Sequence, residues 1–223
     1  MTPILVKICG LRTADALDAA LEAGADMVGF VFFAPSPRHV DLGTARHLSQ
    51  LVRGHVRKVA LTVDADDAEL AGIIDALKPD LLQLHGHETP RRLRAIKARF
   101  GLPVMKAIAV ESRQDLDAIK VYGDVADRLL FDGRAPRDAT RPGGLGRPFD
   151  WRLLERLDLE LPFMLSGGLD ATNVAEAVQI TSAPGVDVSS GVERAPGDKD
   201  PQRIHAFIRA ARASQTPAVA MSR

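Results

Sequence analysis

A single (β/α)8 barrel is the α/β fold this sequence predicts, and three observations predict it. Short apolar, β-branched runs recur eight times along the chain. Segments of helical period and composition lie between them. Most of the runs are apolar without interruption, as suits parallel strands covered on both faces and not a sandwich with one wet side. The strands are expected at Ile4 to Cys9, Met27 to Phe33, Lys58 to Val63, Leu81 to His85, Val104 to Val110, Arg128 to Asp132, Phe163 to Ser166 and Val186 to Ser189. The helices are expected at Ala14 to Ala23, Thr44 to Val52, Ala68 to Leu77, Pro90 to Arg99, Asn173 to Ile180 and Pro201 to Ala213. Thr13, Asp66, Thr89 and Thr172 each precede a helical segment, where a short polar side chain can accept from its free amides. Gly24, Gly101 and the pair Lys78-Pro79 close helices one, four and three. At 223 residues the chain is close to the lower size limit for eight such units. A doubly wound open sheet competes, but it usually needs fewer strands, and no Gly-x-Gly-x-x-Gly lies between strand one and helix one.

With 46% hydrophobic and 26% charged residues the chain can bury a full core, which rules out disorder. Lysine plus arginine equals aspartate plus glutamate at 29 each, so net charge gives no argument for nucleic acid or an anionic membrane. Any anion site must be local. Aromatic residues are only 4%, too few for a platform that stacks single-stranded bases. One cysteine excludes an internal disulfide framework and a multi-cysteine metal cluster, and it fits a reducing cytoplasm. No run of about 18 apolar residues occurs, and the start Met-Thr-Pro-Ile-Leu-Val-Lys lacks the order of a signal peptide. The expectation is therefore a cytoplasmic monomer or homodimer with one catalytic domain over 1–213 and a disordered tail over 214–223. The Gly-rich stretch Gly133 to Pro148 falls after strand six, where a barrel carries an active-site loop. It reads as a lid over the pocket or as a tolerated surface insertion.

A barrel builds its active site at the C-terminal strand ends, which narrows the search for chemistry. Those ends carry Lys7 and Cys9, Ser36-Pro37-Arg38, Asp64, Gln83 with His85, Asp132, Ser166-Gly167-Gly168, and Asp187 with Ser189-Ser190-Gly191. The turns at Gly167-Gly168 and Ser190-Gly191 offer backbone amides without bulky side chains, and such amides bind phosphate. Glycine is also the ordinary residue of any tight turn. Two such turns on adjacent strands seven and eight match the phosphate site many barrels share, so a phosphorylated small-molecule substrate is expected. Lys7 and Cys9 alternate with Ile8 and fall on one side of strand one. A lone cysteine there is either a small buried hydrophobe or, if a nearby cation or amide dipole lowers its pKa, a thiolate base or nucleophile. Asp132 ends the apolar run Leu129-Leu130-Phe131, surroundings that suit a carboxyl group serving as an acid, or it caps a turn. His85 and His87 lack an evident third ligand, so no metal is expected, and His85 reads as a hydrogen-bonding or structural residue.

These motifs together resemble the phosphoribosylanthranilate isomerase family, (β/α)8-barrel enzymes of tryptophan biosynthesis. The resemblance runs through Lys7-Ile8-Cys9-Gly10, Gly29-Phe30-Val31-Phe32, Ser36-Pro37-Arg38, Gln83-Leu84-His85-Gly86 and Phe131-Asp132. It continues through Gly143-Gly144-Leu145-Gly146 with Phe149-Asp150-Trp151, Ser166-Gly167-Gly168-Leu169 with Asn173-Val174, and Gly185 to Glu193. Strand three departs from the family's usual wording, and Ser166 stands where alanine is usual. The resemblance implies an Amadori rearrangement with no cofactor, in which Asp132 is the general acid and Cys9 the general base. It also implies that Arg38 and His85 hold the anthranilate side or the opened sugar, that the turns at Gly167-Gly168 and Ser190-Gly191 hold the phosphate, and that Asp187 makes a further polar contact. One rival is the histidine-pathway isomerase, which resembles two duplicated half-barrels and uses two aspartates as acid and base. The other is a barrel that only binds a phosphorylated metabolite, against which the pair Cys9 and Asp132 argues.

Overall fold

The computed structural model describes residues 3–134, 143, 148–155, 157 and 159–214. Eight parallel strands close into a barrel in sequence order, from β1 (Leu5–Cys9), β2 (Met27–Phe32), β3 (Arg57–Thr62) and β4 (Leu81–Leu84) to β5 (Val104–Val110), β6 (Arg128–Gly133), β7 (Phe163–Leu165) and β8 (Gly185–Val188). A short antiparallel pair, β9 (Glu193–Ala195) and β10 (Asp198–Lys199), follows β8. The helices are α1 (Ala14–Glu22), α2 (Leu42–Leu51), α3 (Asp67–Leu77), α4 (Pro90–Phe100), α5 (Ala118–Tyr122), α6 (Val174–Thr181) and α7 (Pro201–Ala213). None of them is long and apolar enough to cross a membrane.

Unbroken apolar strands give two cores. Outward residues such as Val6, Ile8, Val28, Phe30, Leu82 and Phe131 pack against the helices. Inward residues Met27, Val59, Leu81, Met105, Leu130 and Met164 fill the lower barrel. Above them Cys9, Val31 and Leu61 form a smaller cluster, where the inward side chains give way to polar ones. Three aspartates fasten the lower rim by one repeated device. Asp26, Asp80 and Asp127 each stand just before an even-numbered strand and accept an amide of the preceding odd one, from Val6 at 2.6 Å, Lys58 at 2.7 Å and Val104 at 2.8 Å.

The helix signals hold at most positions and fail where a competing side chain caps earlier. Thr13 accepts from the Ala16 amide, Thr89 accepts from Arg92 ahead of a first-turn proline, and Asp66 with Glu69 forms a reciprocal capping box. Gly101 and Lys78 end their helices in the left-handed region, and Gly24 follows α1 with φ +85°. Helix α2 begins at Leu42 and not at Thr44, because Asp41 accepts the Thr44 amide. Thr172 caps nothing: Asp170 takes the Thr172 amide and hydroxyl together with the Asn173 amide, and α6 starts at Val174. The β5–β6 connection carries a 3-10 turn (Arg113–Asp117) ahead of the short α5, neither of which the helical period disclosed. After β6, Trp151 opens only a 3-10 turn, Trp151–Leu154. Of the stretch read as a lid, Gly133, Arg134, Gly143 and Pro148 are described, and the rest lies outside the described residues, as does the tail beyond Ser214.

Candidate active site

The polar upper ends of the strands enclose a pocket that opens to solvent. Cys9, Arg38, His85, Asp132, Gly167, Gly168, Asp187 and Ser190 all line it. Gly191 is not among its lining residues. A side chain there would collide with the Leu169 carbonyl, so this glycine lets the β8 turn press against the β7 loop. Asp64, also read at a strand end, turns away to accept the His87 amide at 2.6 Å. His87 itself is exposed, so the two histidines share no site.

Cys9 and Asp132 enter the pocket from β1 and β6, three strands apart round the closed ring by way of β7 and β8. Asp132 Oδ2 lies 3.4 Å from His85 Nε2, and the Gln83 amide lies 3.2 Å from Nδ1 of the same ring. With that amide donating to Nδ1, a neutral ring carries its proton on Nε2, toward Asp132. Described residue Gly143 comes down over this pair: a Cβ on it would stand 2.6 Å from Asp132 Oδ2 and 2.8 Å from His85 Nε2. The β4 turn that carries His85 is braced from behind by Glu88, which accepts the Gly86 amide and the buried Lys106 ammonium at 2.9 Å.

Cys9 is 3% exposed. Burial pushes its thiol above the ordinary value, and the Lys7 cation beside it only offsets part of that rise. Of the two readings of this cysteine, the thiolate one asked for a nearby cation; Lys7 is that cation, but desolvation outweighs it. Lys7 has no exposed surface and donates to Asp187 Oδ1 at 2.7 Å. Burial alone would lower its pKa, yet Asp187 and, less strongly, Cys9 together outweigh this and hold the ammonium above its usual value. The other oxygen of Asp187 accepts the Ser166 hydroxyl at 3.0 Å.

Arg38 is held by two parallel bonds, Nε to Glu193 Oε1 and Nη2 to Glu193 Oε2, both 2.7 Å. Its Nη1 makes no such bond among the described residues. Lys199 shares Glu193 Oε1 at 2.8 Å and also donates to the Ser189 carbonyl at 2.8 Å. Burial brings its pKa down to about 8 although Glu193 opposes the fall. Glu193 itself resists burial, and the two cations keep its carboxyl below the usual range. This buried triad joins the loop after β2 to the turn after β8. Lys199 showed no pattern of its own in the sequence, and Glu193 appeared there only as the last residue of the Gly185-to-Glu193 motif, with no role attached. Ser166 was legible only as a turn residue, because its hydroxyl acts through a contact with a residue 21 positions away.

The fold and the pocket together are those of a (β/α)8-barrel enzyme, with a thiol and a carboxyl group lining one pocket beside the turns after β7 and β8. Residues 6–210 match the family of N-(5'phosphoribosyl)anthranilate (PRA) isomerase. A Bradyrhizobium diazoefficiens protein named N-(5'-phosphoribosyl)anthranilate isomerase is 67% identical over 212 residues, covering 95% of either chain. One of the same name from Nitrobacter winogradskyi is 66% identical over 213 residues, covering 96% of this chain and 95% of its own. The crystal structure of the Thermotoga maritima phosphoribosyl anthranilate isomerase superposes with a TM-score of 0.84 at 34% identity, covering 93% of this chain and 98% of that one. A phosphoribosyl anthranilate isomerase solved with reduced 1-(o-carboxyphenylamino)-1-deoxyribulose 5-phosphate gives 0.81 at 32% identity, with the same coverage. The chain belongs to the N-(5'-phosphoribosyl)anthranilate isomerase family.

Proposed function

We propose that this pocket converts N-(5-phosphoribosyl)anthranilate to 1-(2-carboxyphenylamino)-1-deoxyribulose 5-phosphate in the cytoplasm, as a step of tryptophan biosynthesis. The observation that carries the reading is Cys9 on β1 and Asp132 on β6 in one pocket, with the turns after β7 and β8 on the wall between them. Asp132 gives its proton to the furanose ring oxygen as the C1–O bond breaks, leaving a protonated Schiff base between C1 and the anthranilate nitrogen. The carboxylate that results faces His85 Nε2, which stabilises it. Cys9 as thiolate then takes the C2 proton, and the electron pair moves into the C1–C2 bond to give an enolamine. Return of a proton to C1 and loss of the hydroxyl proton at C2 yield the ketone. The rearrangement is redox-neutral and every step is a proton transfer, so the chemistry asks for no cofactor.

Arg38 suits the anthranilate carboxylate. Glu193 fixes its plane through Nε and Nη2, which leaves Nη1 for the substrate. Gly167 and Gly168 adopt φ +86° and +67°, a backbone that turns amides toward an anion and admits no ordinary side chain. Together with Ser190 they form the phosphate cradle of this reading. The experiment is conversion: purified protein should extinguish the fluorescence of the substrate at a catalytic protein concentration. Binding without loss of that signal would identify a binding module instead.

A further inference from the structure

The reaction as written leaves a buried cation unused. We propose that Lys7 is a positioning residue whose ammonium, anchored by Asp187 and Ser166, supplies the counter-charge that lets Cys9 serve as a thiolate. The proposal rests on the reading of Cys9 as the base.

The geometry begins with the strand. Lys7 and Cys9 are two residues apart on β1 and both face the axis, where Gly29 of β2 leaves room for them. A Cβ on Gly29 would stand 2.8 Å from Cys9 Sγ and 3.1 Å from Lys7 Cε, so the thiol and the lysine stem flank one missing side chain. A lysine in this fully buried place would ordinarily shed its proton. It keeps it because Asp187 Oδ1 lies 2.7 Å away, and Asp187 is itself steadied by Ser166 on Oδ2. Burial opposes ionisation of Cys9 most strongly, the Lys7 charge favours it, and the Asp187 charge opposes it in turn. The remaining charged neighbour is Lys199 on β10, weaker than Lys7, with Glu193 and Arg38 behind it. Asp132 and His85 line the same pocket as the thiol. Among all of these, Lys7 is the strongest group favouring the thiolate. An anchor on both oxygens of Asp187 matters because a mobile carboxylate beside the thiol would cancel the cation it holds.

The test uses the fact that Cys9 is the only cysteine in the chain. Its alkylation by iodoacetamide, in which the thiolate displaces iodide, reports the thiolate population without reference to turnover. Loss of an opposite charge at this range raises a thiol by about 1–3 pH units, partly offset by the greater nucleophilicity of the more basic thiolate. Lys7→Met should therefore slow alkylation near neutral pH by roughly 3- to 30-fold. The rise of turnover with pH should move to higher pH in the same variant, and Lys7→Arg should restore part of both. Lys7→Met leaves Asp187 buried without its cation, so Lys7→Met/Asp187→Asn serves where the single variant does not fold. It should also alkylate more slowly than wild type, because Lys7 outweighs Asp187 at the thiol. Wild-type alkylation in the folded variants, or an undisplaced pH profile, overturns the proposal. If instead Cys9→Ala retains turnover, the base assignment fails while the alkylation comparison still reports on Lys7.

Discussion

Glu193→Gln tests the buried triad that fixes Arg38. The change keeps the shape of the side chain and removes one charge from a cluster in which Arg38 is 4% and Lys199 5% exposed. Breaking a buried pair by neutralising one partner costs about 3–5 kcal/mol, because the other charge is left without compensation. Two cations depend on this carboxylate, but they do not respond alike. Lys199 is already brought down to about 8 and can escape by losing its proton. Arg38 cannot, so the loss stays near that of one broken pair, about 3–5 kcal/mol in all. For a chain of this size that corresponds to a fall of about 6–20 °C in Tm. Urea unfolding monitored by far-ultraviolet circular dichroism measures the first quantity and a thermal scan the second. Arg38 also loses the two bonds that orient it, so KM should rise more than kcat falls. A stability change below about 1 kcal/mol with an unaltered KM would refute the argument that Glu193 holds Arg38 in place.

Lys199→Met should be nearly neutral or stabilising at pH 7, since a lysine lowered from 10.5 to about 8 carries a penalty of about 3 kcal/mol while charged. Between about pH 8 and 10.5 the unfolded chain holds a proton at Lys199 that the folded one has released, so wild type should gain stability relative to the variant over that window and not below it; parallel curves across it would contradict the lowered value. Cys9→Ala should cut kcat by about 10²-fold or more with little change in KM, and wild-type turnover would remove it from the mechanism. Inorganic phosphate should compete with substrate, and Gly168→Asp should raise KM by placing a side chain and a negative charge in the turn; unchanged constants would move the phosphate site elsewhere. Gly191→Asp is the poorer probe, because the Leu169 carbonyl leaves its Cβ no room.

The barrel was legible because its two faces are written into uninterrupted runs such as Met27 to Phe32, and the strand ends followed with errors of one residue. Cys9 and Asp132 reach one pocket because alternation along short strands leaves little freedom in where their side chains go, and Arg38, His85, Gly167, Gly168 and Ser190 join them from the loops that follow the strand ends. What the sequence hid depends on contacts between distant positions. Lys7 and Asp187 are 180 residues apart and Arg38 and Glu193 155, and no local period records such pairs. Direction of a pKa was equally hidden: a neighbouring lysine was readable as a cation, but the burial that outweighs it at Cys9 is a property of the closed barrel. The first turns of α2 and α6 were misjudged for the opposite reason, since Asp41 and Asp170 are local competitors that capture the amides before Thr44 and Thr172 can define the start.

The central claim is that an acid on β6 and a base on β1 act in successive steps on one sugar, and a comparison of Cys9→Ala, Asp132→Asn and the double variant tests it most directly. Ring opening limits one single variant and removal of the C2 proton the other. Steps in series are governed by the slower, so the double variant should turn over at about the rate of the slower single variant. Turnover of either single variant at the wild-type rate would contradict the role given to that residue. A double variant slower by the product of the two single losses would contradict the order of steps, because it would place both groups in one transition state.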